Sequence, residues 1–176
     1  MVQTLKVYLI GAHGTGKTSF RNYHAHKCIP KAYISTMGIH IDAIMMTYNG
    51  KEYVLDLIDI DPSAQMFGDF DGKPYSQDQI DNSAYDNTYA LAFYNPNKKS
   101  KEMTNTIVKQ FKRKCNSVSV VGVWNKSDLQ DIGNDESFLK QGNENYCKIS
   151  LLNDENCSDP LFEILKMNQL LSFIDM

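Results

Sequence analysis

Eight consecutive residues in this chain have the types and spacing to grip a phosphate. Gly11-Ala12-His13-Gly14-Thr15-Gly16-Lys17-Thr18 fits the pattern GxxxxGK[ST]. Glycines at these places let the backbone curl so that several N–H groups point inward at phosphate oxygens. A helix starting beside the lysine adds the positive end of its dipole. Lys17 would reach the outer phosphates, and the Thr18 hydroxyl would face a divalent cation. A glycine turn with no ligand is the competing reading. It loses ground because a strand-like run precedes the turn and a helical run follows it.

A second group could read a base. Asn125-Lys126-Ser127-Asp128 lies just past the apolar run Val118–Val123, at the strand end where α/β sheets bind ligands. A carboxylate such as Asp128 accepts from both the ring N–H and the exocyclic amine of guanine, whereas adenine presents the opposite pattern. The plainer alternative is a polar turn after a strand. The position of the motif, far downstream of a phosphate loop, favours base reading.

These groups need elements to hold them. Leu5, Val7 and Leu9 alternate with Lys6 and Tyr8, which predicts a strand feeding the glycine turn. Thr18 to about Lys27 reads as the following helix, and Pro30 bars its continuation. Gly38–Tyr48 and Lys51–Ile60 are strand-like and are joined by Asn49-Gly50, the strongest short hairpin signal. Asp61–Lys73 reads as a loop, Ser76–Asn87 as a helix and Ala90–Tyr94 as a strand. Met103, Ile107 and Phe111 recur every four residues and mark one helix face. Val118–Val123 and Tyr146–Ser150 follow as strands, and Pro160 opens a last helix carrying Leu161, Ile164, Leu165, Leu170 and Leu171. The alternation predicts an α/β fold with a mostly parallel sheet and one antiparallel member.

The 176 residues suit one domain spanning 1–176. A hydrophobic share of 42 %, a charged share of 22 % and a formal net charge of −3 are ordinary for a globular protein and give no electrostatic reason to expect nucleic-acid binding. Lys109, Lys112, Arg113 and Lys114 form the one basic cluster, read as the solvated face and end of a helix. Cys28, Cys115, Cys147 and Cys157 show no metal-ligand or CxxC spacing and read as free thiols in a reducing compartment. No apolar run reaches the roughly 18 residues of a membrane span. The first ten residues do not read as a signal peptide, and the last residues, LSFIDM, hold no prenylation cysteine, so no lipid anchor is expected.

With these motifs in place the sequence resembles the Ras-like small GTPases, the Rab and Ran branches above all, over nearly its whole length. The resemblance implies a P-loop NTPase (Ras-like) three-layer sandwich with a six-stranded, mostly parallel sheet, one antiparallel strand pair and flanking helices. It implies a nucleotide-dependent switch that binds GTP and GDP with Mg²⁺. Thr36-Met37-Gly38 is similar to the switch I threonine segment, which closes over Mg²⁺ and the γ-phosphate, and Tyr33 stands where a tyrosine covers the phosphates. Asp59 matches the acidic residue that orients the metal's water shell, and Lys148-Ile149-Ser150 resembles the last base-contacting loop. The nucleotide contacts implied are therefore His13, Gly14, Thr15, Gly16, Lys17, Thr18, Ser19, Tyr33, Thr36, Asn125, Lys126, Asp128, Ser150 and Leu151. The metal set is Thr18, Thr36 and, through water, Asp59; the candidate catalytic residues are Lys17, Thr36 and Gln65. Protein effectors or regulators would act through switches I and II on a monomer inside the cell, in the cytoplasm, with the nucleus open to an unlipidated chain.

The departures bear on hydrolysis. The family's switch II begins Asp-x-Ala-Gly-Gln; here it reads Asp59-Ile60-Asp61-Pro62-Ser63, with Gln65 two places late. Pro62 has no N–H to offer the γ-phosphate. His13 replaces a glycine on the phosphate loop and would crowd the attacking water, unless it offers a proton or points outward. Ile29 stands where an aromatic ring normally stacks on guanine, a loss of about 1 kcal/mol. Leu151 replaces a small residue, with no evident reason for its bulk. Slow or impaired GTP hydrolysis follows. A pseudo-GTPase scaffold or decoy that binds partners of other small GTPases without turnover is the rival reading; a P-loop kinase is a third, opposed by the hairpin and the base motif.

Overall fold

The computed structural model describes residues 2–30, 35–60, 87–115, 118–129 and 145–174. Six strands form one sheet: β1 (Gln3–Gly11), β2 (Ile39–Tyr48), β3 (Lys51–Ile60), β4 (Thr88–Tyr94), β5 (Ser119–Trp124) and β6 (Asn145–Lys148). They lie in the order β2-β3-β1-β4-β5-β6. Only β2 and β3 run antiparallel, from Ile39 opposite Ile60 to Tyr48 opposite Lys51. The other pairings are parallel. The hairpin turn forms as its composition demands, with Asn49 at φ 49° and Gly50 at φ 74°.

Among the described residues three helices cover the sheet: α1 (Lys17–His26), α2 (Lys98–Lys114) and α3 (Asp159–Ile174). The central strand β4, Thr-Tyr-Ala-Leu-Ala-Phe-Tyr, is buried along its whole length, as a strand covered on both faces must be. Phe20 of α1 and Leu161, Ile164 and Leu165 of α3 pack with Leu5, Val7, Leu9 and Leu91 in one core. Ile107 and Val108 of α2 pack with Ile10, Ala90, Ala92 and Trp124 in a second core. The arrangement is the expected three-layer α/β sandwich.

Some details differ from the sequence expectation. The last strand stops at Lys148, and Ser150 instead forms an isolated antiparallel bridge with Glu155. Leu170 and Leu171 on α3 are half-exposed, because the core beneath the helix is filled by its first two turns. The four cysteines are free thiols as expected, and burial pushes Cys147 up to about 12. Among the described residues no helix is long and apolar enough to cross a membrane. The predicted Asp61–Lys73 loop and the body of the predicted Ser76–Asn87 helix lie outside the described residues.

Candidate nucleotide site

The sheet order reverses direction between β1 and β4, and the carboxyl ends of strands at such a point form a ligand crevice. Five segments meet there: the turn after β1, the segment before β2, the end of β3, the turn after β5 and the loop after β6.

The phosphate loop is held from beneath. Gly11 has φ 140° and sits so close to β4 that a Cβ would lie 2.6 Å from the Phe93 carbonyl oxygen. The Ala12 N–H donates to Thr104 Oγ1 at 3.0 Å, and the Thr15 hydroxyl donates back to the Ala12 carbonyl at 2.9 Å. Lys17 is 4 % exposed, and its Nζ donates to the carbonyls of Gly11 and Ala12, at 2.9 Å each. These bonds hold the ammonium across the mouth of the loop. Gly16, at φ 95°, caps α1, whose first residues are Lys17, Thr18 and Ser19. His13 is exposed at the rim.

Three oxygens converge beside Lys17. Thr18 Oγ1 donates to Asp59 Oδ2 at 2.6 Å and lies 2.7 Å from Thr36 Oγ1. A hydroxyl has one proton, so Thr36 is the donor to Thr18. Asp59 is fully buried, and its Oδ1 has no hydrogen-bond partner among the described residues. Burial raises the Asp59 pKa; the Thr18 hydroxyl and the charges of Lys17, Arg21 and His40 pull the other way without winning. The fold thus brings together residues 18, 36 and 59, which the sequence assigned to one metal.

The base-reading turn is bolted to the phosphate loop. Asn125 is buried and its Nδ2 donates to the Thr15 carbonyl at 2.8 Å; Lys126 Nζ donates to the Gly14 carbonyl at 3.0 Å. Lys126 itself takes φ 61°. Across the crevice Ser150 Oγ donates to Asp128 Oδ1 at 2.6 Å, which fixes the carboxylate's orientation. Leu151 turns into the core with Leu161 and Ile164. Its bulk therefore fills hydrophobic space. Ile29 is 39 % exposed. Trp124 is a packing residue, with Lys101 Nζ 4.5 Å above its ring. Tyr33 and Gln65 lie outside the described residues, as do Asp61, Pro62 and Ser63.

The structure adds residues the sequence did not single out. Arg21 is buried on α1, 3.0 Å from Asp42 of β2 and 3.8 Å from Asp59 of β3. The signal was present: 17, 20, 21 and 24 follow helical spacing and share the inner stripe of α1. His24 on that stripe is only partly exposed. Its ring packs 4.5 Å from Phe20, and Nε2 bonds the Cys157 carbonyl at 3.0 Å. Tyr23 beside it donates to the Asp154 carboxylate. Both tie α1 to the loop that follows Ser150. His26 is exposed, 3.3 Å from Asp42.

Burial, helped by nearby Lys27, lowers the His24 pKa from 6.5 to about 4 against the opposing Cys157 bond. A depressed base binds its proton more readily when unfolded. Stability is therefore whole above pH 6.5 and falls as the pH drops toward about 4. Between about pH 7 and pH 5 the loss should be about 2 kcal/mol, a Tm drop of about 6 °C. His24→Gln should flatten that part of the thermal-melt profile; an unchanged slope would assign it to other groups.

Compared with known families, the chain matches the Ras family model over residues 6–169.

Proposed function

We propose that this chain, which belongs to the Ras family and is therefore a small GTP-binding protein, works as a Mg²⁺-dependent switch with slow GTP hydrolysis. The observation that carries this reading is the convergence of Thr18, Thr36 and Asp59. Mg²⁺ is a hard cation that takes oxygen ligands. Two hydroxyls and a buried carboxylate with an oxygen unpartnered among the described residues suit it. Thr18 and Thr36 would hold the ion directly and Asp59 through water. When bound, the ion neutralises charge on the phosphates.

The remaining roles fall to the chain's own groups. The N–H groups of residues 13–18 and the Lys17 ammonium cradle the phosphates. Asp128, aligned by Ser150, takes the paired donors of guanine. Thr36 belongs to the segment before β2, so a γ-phosphate that fixes Thr36 orders a surface for partners to read. The Ran-like and Rab-like character rests on the resemblance of the motifs. Pro62, Ser63 and His13 weaken the hydrolytic step, while Lys17, Thr18, Asn125 and Asp128 keep the binding apparatus.

The test is the nucleotide carried by purified protein, followed over hours with Mg²⁺ present. Persistent GTP is the expected outcome. Hydrolysis in a single turnover as fast as in ordinary Ras-like proteins would overturn the slow-switch reading. Protein that holds no nucleotide, and takes none when GTP is added, would leave the scaffold reading in its place.

A further inference from the structure

We propose that Thr104, in the middle of α2, is a positioning residue for the phosphate loop and thereby sets how long nucleotide stays bound. The inference rests on the reading of the site as a guanine-nucleotide site. Thr104 is fully buried. Its hydroxyl accepts from the Ala12 N–H at 3.0 Å and donates to the Phe93 carbonyl at 3.1 Å. A threonine inside a helix ordinarily bonds the carbonyl one turn back. Thr106 on the same helix does so, to Glu102 at 3.0 Å. Thr104 instead turns toward the sheet.

The place it turns to explains why. The β1–β4 ladder ends where Gly11 faces Phe93. Beyond that point the chain curls into the phosphate loop, and the Ala12 N–H and the Phe93 carbonyl meet one hydroxyl that satisfies both. Orphaned in the buried space between α2 and the sheet, each would carry a desolvation cost.

Ala12 is also the anchor of Lys17. Its carbonyl accepts from Lys17 Nζ and from the Thr15 hydroxyl, both at 2.9 Å. With the N–H fixed on one side and the carbonyl on the other, the residue cannot turn. Freeing the N–H lets Ala12 rotate and moves the acceptor that aims the lysine. Thr104 therefore acts on the phosphates through Ala12 and Lys17 without touching them.

Thr104→Val keeps the branched shape and deletes both bonds; Thr104→Ser keeps the hydroxyl. The readouts are the dissociation rate of a fluorescent guanine nucleotide and hydrogen exchange at the Ala12 amide. Thr104→Val should release nucleotide about 10-fold faster and expose the Ala12 amide, while Thr104→Ser stays within about 2-fold of wild type. A purely structural role would lower Tm and leave the release rate of the folded protein unchanged. That result, or a serine variant as fast as the valine one, overturns the proposal. If Thr104→Val does not fold, the wild-type Ala12 amide still decides: protection like that of β1 is expected, and free exchange overturns the bridge. A wild type that binds no guanine nucleotide would instead overturn the reading of the site, and its Ala12 exchange would continue to judge Thr104.

Discussion

Substituting Pro62→Gly, Ser63→Gln and His13→Gly together should speed single-turnover GTP hydrolysis by on the order of 10²-fold, with little change in nucleotide affinity. Phosphoryl transfer of this kind is mostly positioning and charge stabilisation. Glycine in place of Pro62 restores an N–H that can face the γ-phosphate, and glutamine in place of Ser63 restores a group that can orient water. Removing the imidazole of His13, exposed at the rim of the loop, clears the approach. The substitutions keep the N–H of residue 13 and leave Lys17, Thr18, Asn125 and Asp128 in place, so affinity and chemistry should separate. The check is rapid mixing with radiolabelled GTP, beside a binding isotherm for each variant. A triple variant that binds as before and hydrolyses no faster would place the defect outside these three positions. Reverting His13 alone measures the share due to obstruction.

Gly16→Ala should weaken guanine-nucleotide binding by about 10² to 10³-fold and lower Tm by about 10 °C. The reason is local and steric. A Cβ at residue 16 would lie 2.0 Å from Asn125 Nδ2, and the residue has φ 95°. Asn125 must move, which breaks its 2.8 Å bond to the Thr15 carbonyl. That bond is the buried one of two that join the Asn125–Asp128 turn to the phosphate loop, so one methyl group loosens the join between the two halves of the site. A buried amide left unpaired costs about 1–3 kcal/mol, and the left-handed backbone adds about 1–2 kcal/mol for a residue with a side chain. Gly14→Ala is the control. Gly14 also has positive φ, 70°, but no atom lies within 4 Å of its would-be Cβ. It carries only the backbone cost. Equal losses in the two variants, by calorimetric titration and melting, would show that the Asn125 contact adds nothing to the join.

The fold was legible because its signals are local and mutually consistent. Asn49-Gly50 announces a hairpin, the apolar run Ala90–Tyr94 announces a strand, and the phosphate loop names its own strand and helix. The site was legible where one residue type does one job, as at Lys17, Thr18 and Asp128. It was not legible where the job depends on what a neighbour brings from far along the chain. His24 is polar and near the end of a short helix, so it reads as exposed; only the return of the loop at Cys157, more than a hundred residues on, covers it in part. Leu151 reads as excess bulk until the core beneath it is seen. Thr104 reads as a neutral helix residue, because nothing in its neighbours says that a ladder ends opposite it. Arg21 is half visible: its spacing places it inward, but its partners Asp42 and Asp59 come from strands that periodicity does not pair with α1.

The layering of the molecule has a consequence in solution. Among the described residues α2 stands alone on its side of the sheet, with α1 and α3 on the other. Its sequence, KKSKEMTNTIVKQFKRK, holds seven of the eighteen lysines and arginines and one of the twenty-one acids. That helix is thus +6 on a chain of −3, and all other residues together are −9. A chain with this much positive charge gathered on one helix does not diffuse indifferently. In a field from an anionic object it turns the α2 layer forward before contact, within a reach of about 8–10 Å at ordinary ionic strength. Salt then becomes a control on encounter geometry: dilute buffer selects which side arrives first, and concentrated buffer makes every approach equivalent.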